Sequence, residues 1–337
     1  GLVTIVASAA FGVITGSAMA TISAIGRIMG PSLEKNGYSK PYIGALLASC
    51  GFLGIMIPPS IPGIMYASAS GEKTSEVWLS TIGAGLLFVV LYCIINYIKV
   101  GRFETREEGP KFTPGEYIRA AGKTTWSAMP AIIMPVIIFG GIYSGVFTAT
   151  EAGAVTCVYG LLYIVIKFIV TRSATNMKAL VQSAVAAGIS TGTVCILAAF
   201  ANAAGRVITL AGVSAALTSF VTENIGNPYI YLLLVNILYL FAGTFLECNC
   251  AILILVPLLL PPAKALGIDP VHFGAITLVN LSVGNLTPPF AQGIFMSSKV
   301  VGASFVDIVK EIWPFLIASL IVILVVTYVP WLSLFLI

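Results

Sequence analysis

Gly54-Ile55-Met56-Ile57-Pro58-Pro59-Ser60 and Gly284-Asn285-Leu286-Thr287-Pro288-Pro289-Phe290 lie 230 positions apart, with their glycine and both prolines in one register. The correspondence extends outward without a gap. Gly37 and Gly44 fall on Gly267 and Gly274, Pro31 on Pro261, and Gly63 on Gly293. The matched residues are glycines and prolines, so what repeats is backbone geometry. Each copy breaks a long apolar segment near its centre. Paired broken helices in two related halves of a membrane protein point to the binding site of a transporter.

The surrounding chain is built for lipid. It has 337 residues, 58% hydrophobic and 9% charged, with mean hydropathy +1.02. A soluble domain carries roughly a quarter charged residues. Apolar runs at 80–98, 126–147, 152–170, 179–204, 229–245 and 312–337 match or approach the length that crosses about 30 Å of hydrocarbon. No stretch alternates with the period of a barrel strand. The predicted fold class is therefore an all-α polytopic membrane protein.

Several functions are excluded by the same composition. Cys50, Cys93, Cys157, Cys195, Cys248 and Cys250 lie mostly in apolar segments without a CxxC pair, and read as small buried hydrophobes. With a single histidine, His272, no transition-metal site is expected. The net charge of +4 comes from loop lysines and arginines, which reflects membrane topology and not a nucleic-acid partner. No nucleophile–base set and no phosphate-binding loop is visible, so neither an enzyme, an organic cofactor nor ATP hydrolysis by this chain is expected. The chain starts apolar at Gly1, without methionine or a signal-peptide pattern, and further spans are expected upstream.

Residues 1–33 read as a re-entrant hairpin, with a small, hydroxylated tip at Gly16-Ser17-Ala18-Met19-Ala20-Thr21. Irregular backbone at membrane depth needs protein or a water-filled cavity around it. The 230-residue offset places a second hairpin at 231–263, its tip over Thr244–Asn249. Broken helices follow at 42–67 and 272–298. The expected organisation is a first repeat over 1–77, a scaffold with connecting helices over 78–228, a second repeat over 229–310 and a C-terminal span over 311–337. The scaffold includes a basic loop at 99–123. At 1.5 Å per residue the segment 179–222 is too long for one span, so one crossing and a separate piece after Gly205 are expected.

Charge fixes the orientation. With the first hairpin opening to the cytoplasm, that side collects Arg27, Lys35, Lys40, Lys99, Arg102, Arg106, Lys111, Arg119, Lys123, Lys167, Arg172, Lys178, Lys299 and Lys310. The other side keeps only Lys73 and Lys264. The second hairpin then opens outward, and the repeats are inverted.

The two tips and two breaks are expected to meet near the midplane. Carbonyls and hydroxyls there suit a hard cation such as sodium, and half-helix N-termini suit an anion. The first ion site would use Gly16, Ser17 and Thr21 with Gly54, Ile57 and Pro58. The second would use Thr244, Glu247 and Asn249 with Gly284, Thr287 and Pro288. Substrate candidates are Ser17, Ser60, Asn285 and Arg206, whose fork would hold a carboxylate. The alternatives are kinked helices whose Gly and Pro merely allow close packing, and an arginine that snorkels or pairs within the fold. Glu151 in Thr148-Ala-Thr-Glu151 reads as a helix cap, as does Asp269-Pro270.

Six stretches resemble the large membrane subunit of tripartite ATP-independent periplasmic (TRAP) transporters. They are Thr15–Gly26, Gly37-Tyr38, Gly54–Ile61, Gly141–Gly153, Leu266–Gly274 and Leu286–Pro289. Ala149 departs from the family's frequent proline, and Phe290-Ala291 from a small residue and glycine. The resemblance implies a sodium-coupled secondary importer of an organic acid in the bacterial inner membrane, the acid being a C4-dicarboxylate or a sugar acid such as sialic acid. It implies a small membrane (Q) subunit, separate or fused, and a periplasmic substrate-binding protein as partners. It implies an elevator-type fold in which a mobile domain holds both hairpins. An importer working without a binding protein and a passive channel are the alternatives. A channel needs a continuous polar lining, whereas the polar residues here cluster at tips and breaks.

Overall fold

The computed structural model describes residues 1–100, 114–171 and 177–337. Sixteen helices, and no strand, occur among them. In chain order they are α1 (Leu2–Thr15), α2 (Ala18–Lys35), α3 (Lys40–Gly51), α4 (Leu53–Met56), α5 (Ile61–Ser70), α6 (Thr74–Val100), α7 (Pro114–Tyr143) and α8 (Ala149–Thr171). There follow α9 (Met177–Leu210), α10 (Val213–Asn224), α11 (Pro228–Phe245), α12 (Cys248–Ala265), α13 (Pro270–Gly284), α14 (Gln292–Val301), α15 (Phe305–Tyr328) and α16 (Trp331–Leu334). Among the described residues, seven helices are long and apolar enough to cross a membrane.

The helix ends recur at the offset read from the glycines and prolines. α1 and α11 end at Thr15 and Phe245, α2 and α12 start at Ala18 and Cys248, and α3 and α13 start at Lys40 and Pro270. Helix, two-residue tip and helix make each hairpin, and a second interrupted helix follows it. The Pro58-Pro59 and Pro288-Pro289 bonds are both cis. At the first break the chain bends by 46° between Lys40–Met56 and Ile61–Ser70.

Caps set boundaries that hydropathy misses. The interrupted helices run over 40–70 and 270–301, not 42–67 and 272–298. Ser39 Oγ accepts from Tyr42 N, and Asp269 Oδ1 accepts from Val271 N and His272 N at 2.8 and 3.0 Å. Proline in each first turn is pre-set for a helix start. Gly71 and Gly302 close the C-terminal ends at φ 79° and 68°. The hairpins likewise reach Lys35 and span 228–265, the latter starting where Asn227 Oδ1 accepts from Tyr229 N. α9 continues through Gly205 and breaks at Ala211-Gly212, where Gly212 takes φ 71°. The last long span is α15, starting at Phe305 and closing before Pro330, because the residue preceding a proline disfavours helix. The expected basic loop 99–123 lies outside the described residues from 101 to 113. From Pro114 onward it is helix.

The chain forms two compact units, Arg106–Leu197 and the remainder, Gly1–Thr105 with Ala198–Ile337. Residues 78–100 and 198–228, read from sequence as scaffold, fall in the same compact unit as the repeats. In the smaller unit α7 and α8 form a pair. Thr148 and Glu151 cap α8 reciprocally. Glu151 Oε2 accepts from Thr148 N at 2.8 Å, and Thr148 Oγ1 accepts from Glu151 N at 3.3 Å.

The larger unit is centred on α13, buried at every residue from Val271 to Gly284, as a helix without a polar face must be. Around it Phe52, Phe88, Tyr92 and Phe315 pack edge to face, with the Phe52 and Phe88 rings 4.9 Å apart and Tyr92 and Phe315 5.3 Å apart. Each half reaches into the other. α5 packs on α12, and α14 packs on α2 and α3. Tyr66 of α5 donates to the Pro270 carbonyl, and its ring lies against Gly274.

The two hairpin mouths sit at opposite ends of α6. Near its C-terminal end Tyr42 donates to Asn96 Oδ1 at 3.2 Å, and Lys99 pairs with Glu311 at 2.8 Å. Beyond its N-terminal end Glu72 pairs with Lys264, at the mouth of the second hairpin, at 3.3 Å. α15 runs the same distance in reverse, from Glu311 to Tyr328, whose hydroxyl donates to Tyr229 O.

Candidate functional site

The tips touch the breaks, and glycine makes the contact. Gly16, at φ 58°, closes α1; a methyl there would lie 2.6 Å from the Pro59 carbonyl oxygen. A methyl on Gly12 would lie 2.4 Å from Gly54 Cα, and one on Gly284 2.6 Å from Gly243 Cα. Both halves therefore bring a hairpin backbone against a broken-helix backbone, which only paired small residues permit.

At the first tip, oxygen atoms gather. Thr21 Oγ1 donates to Ser17 O at 2.9 Å and lies 3.1 Å from Thr15 Oγ1. Gly54 faces both Thr21 Oγ1 and Ser17 O. Thr21 is wholly buried. Ile57 and Pro58 continue the strand-like break that leads to Ser60, whose Oγ accepts from Gly63 N at 3.3 Å. The donor set is hard oxygen, the kind a sodium ion takes.

The second half separates residues that the sequence grouped together. Thr244, Thr287 and Pro288 line an apolar pocket of about 290 Å³ with Phe241, Phe245 and Leu316. Thr244 Oγ1 and Thr287 Oγ1 donate to the carbonyls of Leu240 and Val283. Glu247 and Asn249 instead face a central cavity of about 110 Å³. That cavity is lined by residues of both tips and both breaks, among them Gly16, Ser17, Ile55, Ile61, Pro62, Asn285 and Gln292. Among the described residues Glu247 is the one charged residue in its lining. The Glu247 carboxylate accepts from Asn249 N at 2.9 Å, from Cys250 N at 3.3 Å and from Asn249 Nδ2 at 2.8 Å. Arg206 lies on an exposed face of α9 and does not line the cavity. Sequence reasoning passed over Met19, Cys248 and Gln292, whose side chains carry no signal of their own. Their position directly after a tip or a break was the available clue.

Residues 1–332 match the family model described as the tripartite ATP-independent periplasmic transporter, DctM component. This chain belongs to that family. It is a multi-pass inner-membrane protein of a transport family. Among its relatives is the C4-dicarboxylate TRAP transporter large permease protein DctM of Pseudomonas aeruginosa, 34% identical over 326 residues, covering 96% of this chain and 74% of the relative. The sialic acid TRAP transporter large permease protein SiaM of Vibrio cholerae is 31% identical over 336 residues, covering 100% and 77%. The isethionate TRAP transporter permease protein DctMQ of Oleidesulfovibrio alaskensis is 34% identical over 329 residues, covering 96% and 50%.

Proposed function

We propose that this chain is the ion-coupled membrane subunit of an importer that moves an organic acid together with sodium. The carrying observation is the central cavity lined by both hairpin tips and both helix breaks. These residues make one localised pocket with a few polar groups, flanked by packed helices, which supports alternating access over a continuous pore. Relatives named for a C4-dicarboxylate, sialic acid and isethionate support an organic acid as cargo. The tripartite family description supports a periplasmic binding protein as partner, and the DctMQ relative supports a small membrane subunit, separate or fused.

Sodium is assigned to the two tip-and-break contacts. Gly16, Ser17, Thr21, Gly54, Ile57 and Pro58 form one, and Thr244, Gly284, Thr287 and Pro288 the other. The cavity takes the acid, with Ser17 and Asn285 in its lining, while Ser60, next to the lining residue Ile61, holds the start of α5. Hairpin mouths at opposite ends of α6 support one opening to each side of the membrane, and an elevator-type movement of the unit that holds them.

The complete complex in proteoliposomes is expected to accumulate its acid only when an inward sodium gradient is imposed. Ser17→Ala and Thr287→Ala are each expected to raise the sodium concentration for half-maximal uptake by about tenfold, the effect of losing one interaction of about 1.4 kcal/mol. Uptake indifferent to sodium in the wild type overturns the coupling. An unchanged sodium response in both variants overturns the site assignment.

A further inference from the structure

Helices α2 and α14 leave the central cavity side by side. Met19, in the first turn of α2, and Gln292, at the start of α14, line it. A methyl on Gly293 would lie 3.7 Å from Ile22 Cδ1, and one on Gly26 2.5 Å from Val300 Cγ1. Contacts that advance together along both helices mean that the two run in the same direction, away from the cavity. One side of their seam is covered by α3. Leu47 Cδ1 would lie 3.0 Å from the Gly26 methyl, and the Ala48 carbonyl oxygen 3.7 Å from the Gly293 methyl.

The other side carries charge. Arg27 follows Gly26, and Lys299 precedes Val300. A helix turns 100° per residue, so on parallel helices the residue after one contact and the residue before its partner turn to the same side of the seam. Both are exposed. From Met19 to Arg27 and from Gln292 to Lys299 the helices rise by about 10–12 Å, toward the end that the basic residues assign to the cytoplasm. Glu34, Asp307 and Glu311 at that end are paired with Lys40, Lys310 and Lys99 at 4.0, 2.8 and 2.8 Å. Among the described residues neither Arg27 nor Lys299 has an ion pair.

The internal repeat supplies a control. α5 and α12 form the matching seam, and the 230-residue offset puts Pro257 where Arg27 stands and Ala69 where Lys299 stands. The backbone arrangement therefore does not need the charges. A lysine in the last turn of α14 offsets that helix's dipole, but Arg27 lies two turns before the end of α2 and has no such role.

We propose that Arg27 and Lys299 form a release seat, an anion-binding pair that takes the acid group of the cargo between the central cavity and the cytoplasm. This rests on the reading of the cavity as the transport site. Arg27 offers a planar fork for a carboxylate or sulfonate, and Lys299 a point charge beside it. Exposed to water, the pair holds an anion loosely and raises its local concentration at the inner mouth. The outer seam, with Pro257 and Ala69, has no counterpart.

The test measures uptake and efflux separately, with the complete transporter inserted in one orientation in phosphatidylcholine vesicles. Succinate, N-acetylneuraminate and isethionate are tried, and efflux is run with excess empty binding protein outside. The double variant Arg27→Gln, Lys299→Gln is expected to raise the inner concentration for half-maximal efflux by about tenfold and to leave the outer concentration for half-maximal uptake within about twofold. The charge-keeping variant Arg27→Lys, Lys299→Arg is expected to stay within about threefold of the wild type on the inner side. Added salt inside is expected to weaken efflux half-saturation in the wild type and not in the Gln variant. Melting curves show whether both variants are folded. An unchanged inner half-saturation in the Gln variant overturns the seat alone. So does an equal rise on both sides, which marks a change at the cavity. An effect that appears only in vesicles containing phosphatidylglycerol also overturns it, since the pair then holds a lipid headgroup. If the wild type moves none of the three acids in either direction, the transport-site reading itself falls, and this inference with it.

Discussion

Gly284→Ala is expected to abolish uptake and to leave little monodisperse protein, whereas Gly30→Ala, in the same unit, is expected to be neutral or mildly stabilising. The difference is one of space. A methyl on Gly284 would sit 2.6 Å from Gly243 Cα and 2.7 Å from its carbonyl carbon, both main-chain atoms that cannot rotate away. At Gly30 a methyl would meet nothing within 4 Å beyond its own helix backbone and its two chain neighbours. Overpacking of this kind costs typically about 1–3 kcal/mol, and more where backbones must part. Gly12→Ala, which meets Gly54 Cα at 2.4 Å, should behave as Gly284→Ala does. Melting curves followed by size-exclusion chromatography decide the matter. Equal stability of the Gly284 and Gly30 variants would show that the tip-and-break contacts are looser than described.

The second large effect is all-or-none. In a background without native cysteines, Lys35→Cys is expected to react with an impermeant thiol reagent only from the cytoplasmic face, and Lys264→Cys only from the other. Lys35 ends the first hairpin, and Lys264 lies at the mouth of the second, paired with Glu72 beyond the far end of α6. α6 is 27 residues long, or about 40 Å at 1.5 Å per residue, enough to separate the two mouths by a full bilayer. The basic residues assign the faces. Labelling of both positions from one face would remove the two-sided access on which the proposed mechanism depends.

Much of this arrangement is legible in the sequence because glycine and proline encode backbone geometry directly. The offset between Gly54 and Gly284 locates both breaks, and the hairpin helix ends follow it. Helix limits were less legible where only hydropathy was used. Asp269-Pro270 was recognisable as a cap, yet the apolar pattern alone starts α13 two residues late, and Ser39 shows the same at α3. At the site, sequence spacing grouped Thr244, Thr287, Glu247 and Asn249. A helix turns 100° per residue, so neighbours in sequence need not share a face. Thr244 and Thr287 line an apolar pocket, while Glu247 in the tip and Asn249 in the first turn of α12 line the cavity. Arg206 drew attention as a charge in an apolar segment, but pattern gives no direction for a side chain on a helix of even hydropathy such as α9.

The crossing of α5 onto α12, and of α14 onto α2 and α3, bears on how the chain is made. Residues of α5 leave the ribosome more than half a chain length before α12 exists to receive them, and α2 and α3 wait still longer for α14. Until then the early half holds a polar tip and a broken helix with their packing surfaces unsatisfied, a state lipid tolerates poorly. The first half therefore has to be sheltered by the insertion machinery or held at the interface, and it settles only when the second half arrives. Packing of the first half is accordingly complete only once the second half is in place.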